Sequence, residues 1–216
     1  MRIVLLGPPG AGKGTQSGRL SNRFGMTHIS TGDIFRRNVD EGTQLGSLAR
    51  TYMDAGELVP DDVVVAMVLS TLELIRDGFM LDGFPRTIPQ AEALDAGLAV
   101  AGRSLHAALA LMIDDEIAVK RIAGRRTCAN CQTPYNVEFD PPKVPGVCDR
   151  CGGPLVQRPD DAEDVVRRRL EVYNESTSPL LKYYSERGLL REVDALGSEA
   201  EVFERAVSAL SDLPQD

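Results

Sequence analysis

The chain has 216 residues, 43% of them hydrophobic and 26% charged, which fits one compact domain carrying a sizeable insertion or two small domains. No run of 18 apolar residues occurs, so no stretch is long enough to cross a membrane as a helix. The net charge of −8, from 32 acidic and 24 basic residues, argues against a surface built for polyanions, and we expect neither a nucleic-acid nor a membrane partner; a local basic cavity is still compatible with that total.

The first predicted element is a buried strand over Arg2–Leu6, whose apolar run is too short for a signal-peptide core; we expect a cytoplasmic protein. A helix over Lys13–Phe24 and a short strand over Thr27–Ser30 follow. Residues 31–76 read as several helical stretches, of which 61–75 is the clearest. A short strand at 79–81 ends in Asp82. Next come a helix over 87–102, a strand over 106–113 and a helix over 114–125. Residues 126–159 hold several prolines and all four cysteines and lack helical periodicity. A long helix over about 160–186, a strand over 189–194 and a helix over 198–212 complete the chain. Strands alternating with helices predict an α/β fold with a parallel sheet covered on both faces, interrupted by an inserted unit at 126–159.

The segment "GPPGAGKGT" (7–15) lies between the first strand and the first helix. It departs from the usual phosphate-loop pattern by placing Gly14 after the lysine and Thr15 one position later. The physics survives the shift. Glycines let several backbone N–H groups converge on one anion, the helix adds the positive end of its dipole, and Lys13 adds a mobile charge. "GPPGAGKGTQ" resembles the nucleoside monophosphate kinases, adenylate kinases in particular. "STGDIFR" (30–36), "AGELVPDD" (55–62), "LDGFPRT" (81–87), "QAEAL" (90–94), "RIAGRR" (121–126) and "RPDD" with "VRRRL" (158–170) extend the resemblance over most of the chain.

The resemblance implies Mg²⁺-dependent transfer of a phosphoryl group from ATP to AMP, giving two ADP. It implies a five-stranded phosphate-loop core of residues 1–29, 60–125 and 160–216, a helical segment at 30–59 that binds the monophosphate, and a lid at 126–159. A monomer is the family expectation. The acceptor is an already ionised phosphate oxygen, so no general base is required. His28 and His106 lie in or beside strand-like stretches and are read as structural, and no nucleophile–base pair suggests itself.

Such a reaction needs arginine, which grips phosphate bidentately and stays charged in a closed site. The matched motifs point to Lys13, Arg86, Arg121, Arg125, Arg158 and Arg169 as catalytic. ATP is expected at Gly10, Ala11, Gly12, Lys13, Gly14 and Thr15, at Arg121 and Arg125, and at the backbone of Tyr135, Asn136 and Gly197. AMP is expected at Thr31 and Arg36, at Glu57, Leu58 and Val59, at Gly83, Phe84, Pro85 and Arg86, and at Gln90, Arg158 and Arg169, with Thr31 and Gln90 approaching the base. Arg121 and Arg125, four residues apart, are expected on one helix face. Asp82, and more weakly Asp33, are candidates to hold the water shell of Mg²⁺. Glu57 departs from the Lys often found there, and Asn136 from a His. Arg126, Arg167 and Arg168 sit in no matched role.

Cys128, Cys131, Cys148 and Cys151 form C-x₂-C-x₁₆-C-x₂-C, a spacing that signals a tetrahedral zinc site. Two disulfides are the alternative, disfavoured in a cytoplasmic chain. A proline-rich segment of this length cannot build a core of its own, and four thiolates on one structural Zn²⁺ would rigidify it as a flap.

Overall fold

The structure is a computed structural model that describes residues 1–214; the last two residues of the expected core segment 160–216 lie outside them. Strands β1 (Arg2–Leu6), β2 (Thr27–Ser30), β3 (Phe79–Asp82), β4 (Ala107–Met112) and β8 (Leu190–Asp194) form one parallel sheet in the order β2-β3-β1-β4-β8. The sequence explains the arrangement. β4, "AALALM", is an unbroken apolar run, as a strand covered on both faces must be, and all but its last residue are buried. Alternate residues serve opposite layers. Val4, Leu6, Leu81, Ala108 and Ala110 face a cluster completed by Val68, Leu94 and Tyr184. Ile3, Leu5, Met80, Leu109 and Leu111 face one completed by Leu20, Val202 and Leu210.

The helices between are α1 (Lys13–Phe24), α2 (Thr31–Asp40), α3 (Gln44–Ala55), α4 (Asp61–Glu73), α5 (Ile88–Val100) and α6 (Asp115–Ala123). Several starts are marked by side-chain caps: Ser30 accepts from Asp33 N, Thr43 from Gly46 N, Thr87 from Gln90 N and Asp114 from Glu116 N. α6 stops at Ala123 with Gly124 as its cap, and Arg125 already begins strand β5 (Arg125–Cys128). β5 pairs antiparallel with β6 (Pro134–Asn136) and β7 (Leu155–Val156), giving the inserted unit a small sheet of its own.

The single long helix expected at 160–186 is instead four pieces: a 3₁₀ turn Pro159–Asp161, α7 (Glu163–Val172), a π turn Tyr173–Thr177 and α8 (Pro179–Ser185). Pro179 has no N–H to continue the ladder, and the Thr177 hydroxyl is drawn inward to donate to the Arg86 carbonyl at 2.8 Å. The final helix α9 (Glu199–Leu210) opens with a capping box between Ser198 and Glu201.

Candidate active site

All five sheet strands run parallel, so their C-terminal ends share one edge, and the candidate residues gather there. β1 runs into the glycine loop. Gly10 has φ 83°, and a Cβ on it would come within 2.5 Å of the Ala118 carbonyl oxygen, so the loop lies against α6 only because nothing projects there. Gly12 enters α1 without a side-chain cap, which leaves the leading amides and the positive helix end for an anion. Ala11 is buried below the loop, while Gly14 and Thr15 stand at its opening. The Lys13 ammonium turns back onto the loop and donates to the Gly7 and Pro8 carbonyls at 2.5 and 2.9 Å. Burial lowers its pKa from 10.5 to about 8, against the pull of Asp82 and in line with the push of Arg86, Arg169 and Arg125.

Asp82 ends β3 in register with Leu5 and Ser30, buried beside the loop. His28 Nε2, on the neighbouring strand, lies 3.6 Å from its carboxylate. His106 does have a structural role, accepting the Arg2 backbone N–H at 2.9 Å. Asp33 is exposed and paired with Arg36. That pair overcomes burial and holds the Asp33 carboxyl below its ordinary value.

The arginines converge. Burial lowers the Arg86 pKa, and Asp82 and Arg36 act on it electrostatically. Burial likewise lowers Arg158 to about 10, with Arg36 and Arg125 pushing the same way, and Arg169 to about 10, with Arg125 and Arg86. These positive groups thus lie close enough to act on one another, and Arg86, Arg125 and Arg169 act on Lys13 as well. Two carboxylates hold them there. Arg125 Nε donates to Asp161 Oδ2 at 2.9 Å, and Arg169 Nη1 donates to Asp160 Oδ2 at 2.9 Å. Burial alone would depress Arg125, but the Asp161 contact outweighs it and raises the pKa. Sequence reasoning missed Asp160 and Asp161, although both follow Arg158 in "RPDD"; two acids within a turn of an arginine were the signal.

Arg121 stands apart. It and Arg125 do not share a helix face, because α6 ends between them. Arg121 donates to the Ala195 carbonyl at 3.1 Å, and its guanidinium lies 6.0 Å from the Phe139 ring centre. Asn136 donates to the Arg121 carbonyl at 2.7 Å and accepts from the amides of Glu138 and Phe139, so its side chain secures the hinge between α6 and the inserted unit. The Tyr135 hydroxyl accepts from Asp149 N at 2.8 Å and belongs to the cysteine loops; only its backbone is left to face a nucleotide. Gly197, with φ 105°, lies against Glu201 and Arg205.

At the other end, the Thr31 hydroxyl donates to the Gly83 carbonyl at 3.0 Å, and Arg86 Nε donates to the same carbonyl at 2.8 Å. A Cβ on Gly83 would meet Thr31 Oγ1 at 2.8 Å. Phe84 is fully buried, and its bond to Pro85 is cis. Gln90 is buried, with Oε1 accepting Arg86 N–H at 2.7 Å. Val59 is buried and Leu58 half-buried, while Glu57 Oε1 accepts from Arg168 Nε and Nη2 at 2.8 and 2.7 Å, a pair that sequence reasoning missed.

The four cysteine sulfurs lie within 4.8 Å of one another. Cys128–Cys151 and Cys131–Cys148 are 3.4 and 3.6 Å apart, far from a disulfide bond. Thiolates around one tetrahedral Zn²⁺ would be about 3.8 Å apart, so the donor set fits a closed four-sulfur site.

A family model for adenylate kinase matches residues 5–189 of the chain. The chain is 56% identical to the adenylate kinase of Acidothermus cellulolyticus over 97% of its length and 98% of that protein's. It is 53% identical to that of Streptomyces avermitilis over 97% of both chains, and 48% identical to that of Lachnospira eligens over 97% of this chain and all of the relative.

Proposed function

The chain belongs to the adenylate kinase family, and on that premise we propose how its residues carry reversible phosphoryl transfer from ATP to AMP, giving two ADP. The observation that supports the reading is that Lys13, Arg86, Arg125, Arg158 and Arg169 lie close enough to act on one another, with Lys13 at an uncapped helix start. Phosphoryl transfer asks for in-line placement of two anions and positive charge around the transferring group, and little else.

The glycine loop (10–15) holds the ATP phosphates, with Lys13 leaving the Gly7 and Pro8 carbonyls for the outer ones. Arg36 and Arg86 hold the AMP phosphate, which requires Arg36 to give up Asp33. Arg125, Arg158 and Arg169 close on the transferring group, stabilising charge that builds on its equatorial oxygens. Arg121 and the backbone at Tyr135, Asn136 and Gly197 border the ATP adenine; Thr31, residues 57–59, Gly83, Phe84, Pro85 and Gln90 border the AMP base. Mg²⁺, arriving with ATP, neutralises charge on the phosphate oxygens, and Asp82 is placed to bind its water shell, with Asp33 the weaker candidate. No side chain has to take a proton from the acceptor.

Residues 30–59 act as the AMP-binding segment, 126–159 as the lid, and the remainder as the core. Cys128, Cys131, Cys148 and Cys151 hold a structural Zn²⁺ that takes no part in the chemistry. We assign a cytoplasmic protein, since four cysteines grouped for one metal ion suit a reducing compartment, and we keep the family expectation of a monomer. The test mixes metal-loaded protein with Mg-ATP and AMP, CMP, UMP or GMP and follows phosphorus resonances. ADP should form at two per AMP consumed, with AMP the preferred acceptor. Arg169→Met should lower turnover by about 10²–10³. Unchanged ATP and AMP, or a pyrimidine acceptor preferred, would overturn the assignment.

A further inference from the structure

Asp61, the first residue of α4, lies outside every role assigned above. Its carboxylate receives two short hydrogen bonds: Thr87 Oγ1 to Oδ2 at 2.7 Å and Gln90 Nε2 to Oδ1 at 2.7 Å. The other end of the Gln90 amide accepts the Arg86 backbone N–H at 2.7 Å, and the residue is 1% exposed.

The two neighbours of this amide differ in kind. A carboxylate only accepts, and a peptide N–H only donates. A primary amide has two ends of nearly equal size and opposite polarity, and between such partners it has one orientation. Turning it over would set oxygen against carboxylate and NH₂ against N–H, leaving two buried polar contacts repulsive. In the allowed orientation one N–H and one oxygen lone pair remain for a ligand.

We propose that Asp61 is the positioning residue that locks the Gln90 amide for adenine and against 6-oxopurines, an inference that rests on Gln90 meeting the AMP base. The Watson–Crick edge of adenine offers an amino donor at position 6 and an acceptor at N1, so it needs an oxygen and an N–H in that order. Hypoxanthine offers an oxygen at position 6 and a donor at N1, and needs the reverse. An amide free to turn would serve both; one held at each end serves adenine alone. Thr87 shares the carboxylate but has a different role. It donates to Asp61 and accepts Gln90 N–H at 3.3 Å, capping α5.

The experiment compares kcat/KM for AMP and IMP, with Mg-ATP as donor, in Asp61→Asn, Thr87→Val and Gln90→Leu. Asp61→Asn can present either end of its own amide to Gln90, so the AMP-to-IMP ratio should fall at least about tenfold, chiefly through a gain of activity on IMP. Thr87→Val should lower the melting temperature and leave the ratio in place. Should Asp61→Asn fail to fold, Asp61→Ser keeps a small polar residue at the helix start and should narrow the ratio in the same way. A ratio within about twofold of the parent, or equal losses on both acceptors, would overturn the positioning role and leave Asp61 as an anchor for α5. Gln90→Leu separates the two failures. If it keeps the parent ratio, the reading of Gln90 as the base contact is wrong; if it collapses the ratio while Asp61→Asn does not, only the Asp61 proposal falls.

Discussion

Lys13 is held in the folded protein as a cation that is only weakly tolerated. Burial brings its pKa down from 10.5 to about 8, and its ammonium rests on two loop carbonyls. The sign follows from linkage: a folded pKa below the unfolded one means the charged lysine costs stability below about pH 8, and that cost disappears as pH rises from about 8 to 10.5. A bound triphosphate reverses the local field and favours the charged form. Mg-ATP binding should therefore take up a proton above about pH 8 and weaken toward tenfold per pH unit, which calorimetry in buffers of different ionisation enthalpy can measure. Lys13→Met should abolish both effects; proton release on binding would contradict the assignment. A second prediction concerns Tyr184, fully buried with its hydroxyl unpartnered among the described residues. Tyr184→Phe removes a desolvated group without opening a cavity and should stabilise the fold by about 1 kcal/mol, seen as a rise in thermal midpoint with unchanged turnover.

Among elements, α3 packs against α7, and the pair between Glu57, just beyond α3, and Arg168 on α7 adds to that contact. Both side chains are about two-fifths exposed, so the pair is worth at most about 1 kcal/mol in solution. Glu57→Gln should shift stability by less than that while changing the AMP KM by up to about fivefold, on the proposal that residues 30–59 bind AMP. The effect should shrink at high salt. This pair was invisible in the sequence because its members are 111 residues apart and Arg168 sits in no matched role. By contrast, the strand–helix alternation was legible, because apolar runs such as "AALALM" and capping residues such as Thr87 act locally. The broken helix at 160–186 was legible only in Pro179, a local breaker, because the pull of the Arg86 carbonyl on Thr177 acts through tertiary contact. The arginines were legible by resemblance. Asp160 and Asp161, which bind Arg169 and Arg125, and Asp61, which binds Gln90, were not, because their partners lie 9, 36 and 29 residues away.

At the scale of the whole molecule, two kinds of stabilisation coexist. The sheet core is stabilised by two apolar layers, while the inserted unit has a three-stranded sheet, exposed Val137, Phe139 and Val144, and four sulfurs in place of a core. On the proposal that the four cysteines hold Zn²⁺ and 126–159 acts as a lid, treatment with a chelator, or Cys148→Ser, should leave the core folded, render 126–159 susceptible to protease and lower turnover at least about tenfold. A core that melts together with the lid in a single transition would contradict that division.

The central claim is that both nucleotides meet in one arginine-walled space, so that the phosphoryl group passes directly between them. Its most direct test is the stereochemistry of transfer, using ATP made chiral at the γ-phosphorus with oxygen isotopes and sulfur, and AMP as acceptor. A single in-line displacement gives inversion at phosphorus, and that is the expected result. Retention would require a phosphorylated side chain between two displacements and would contradict it.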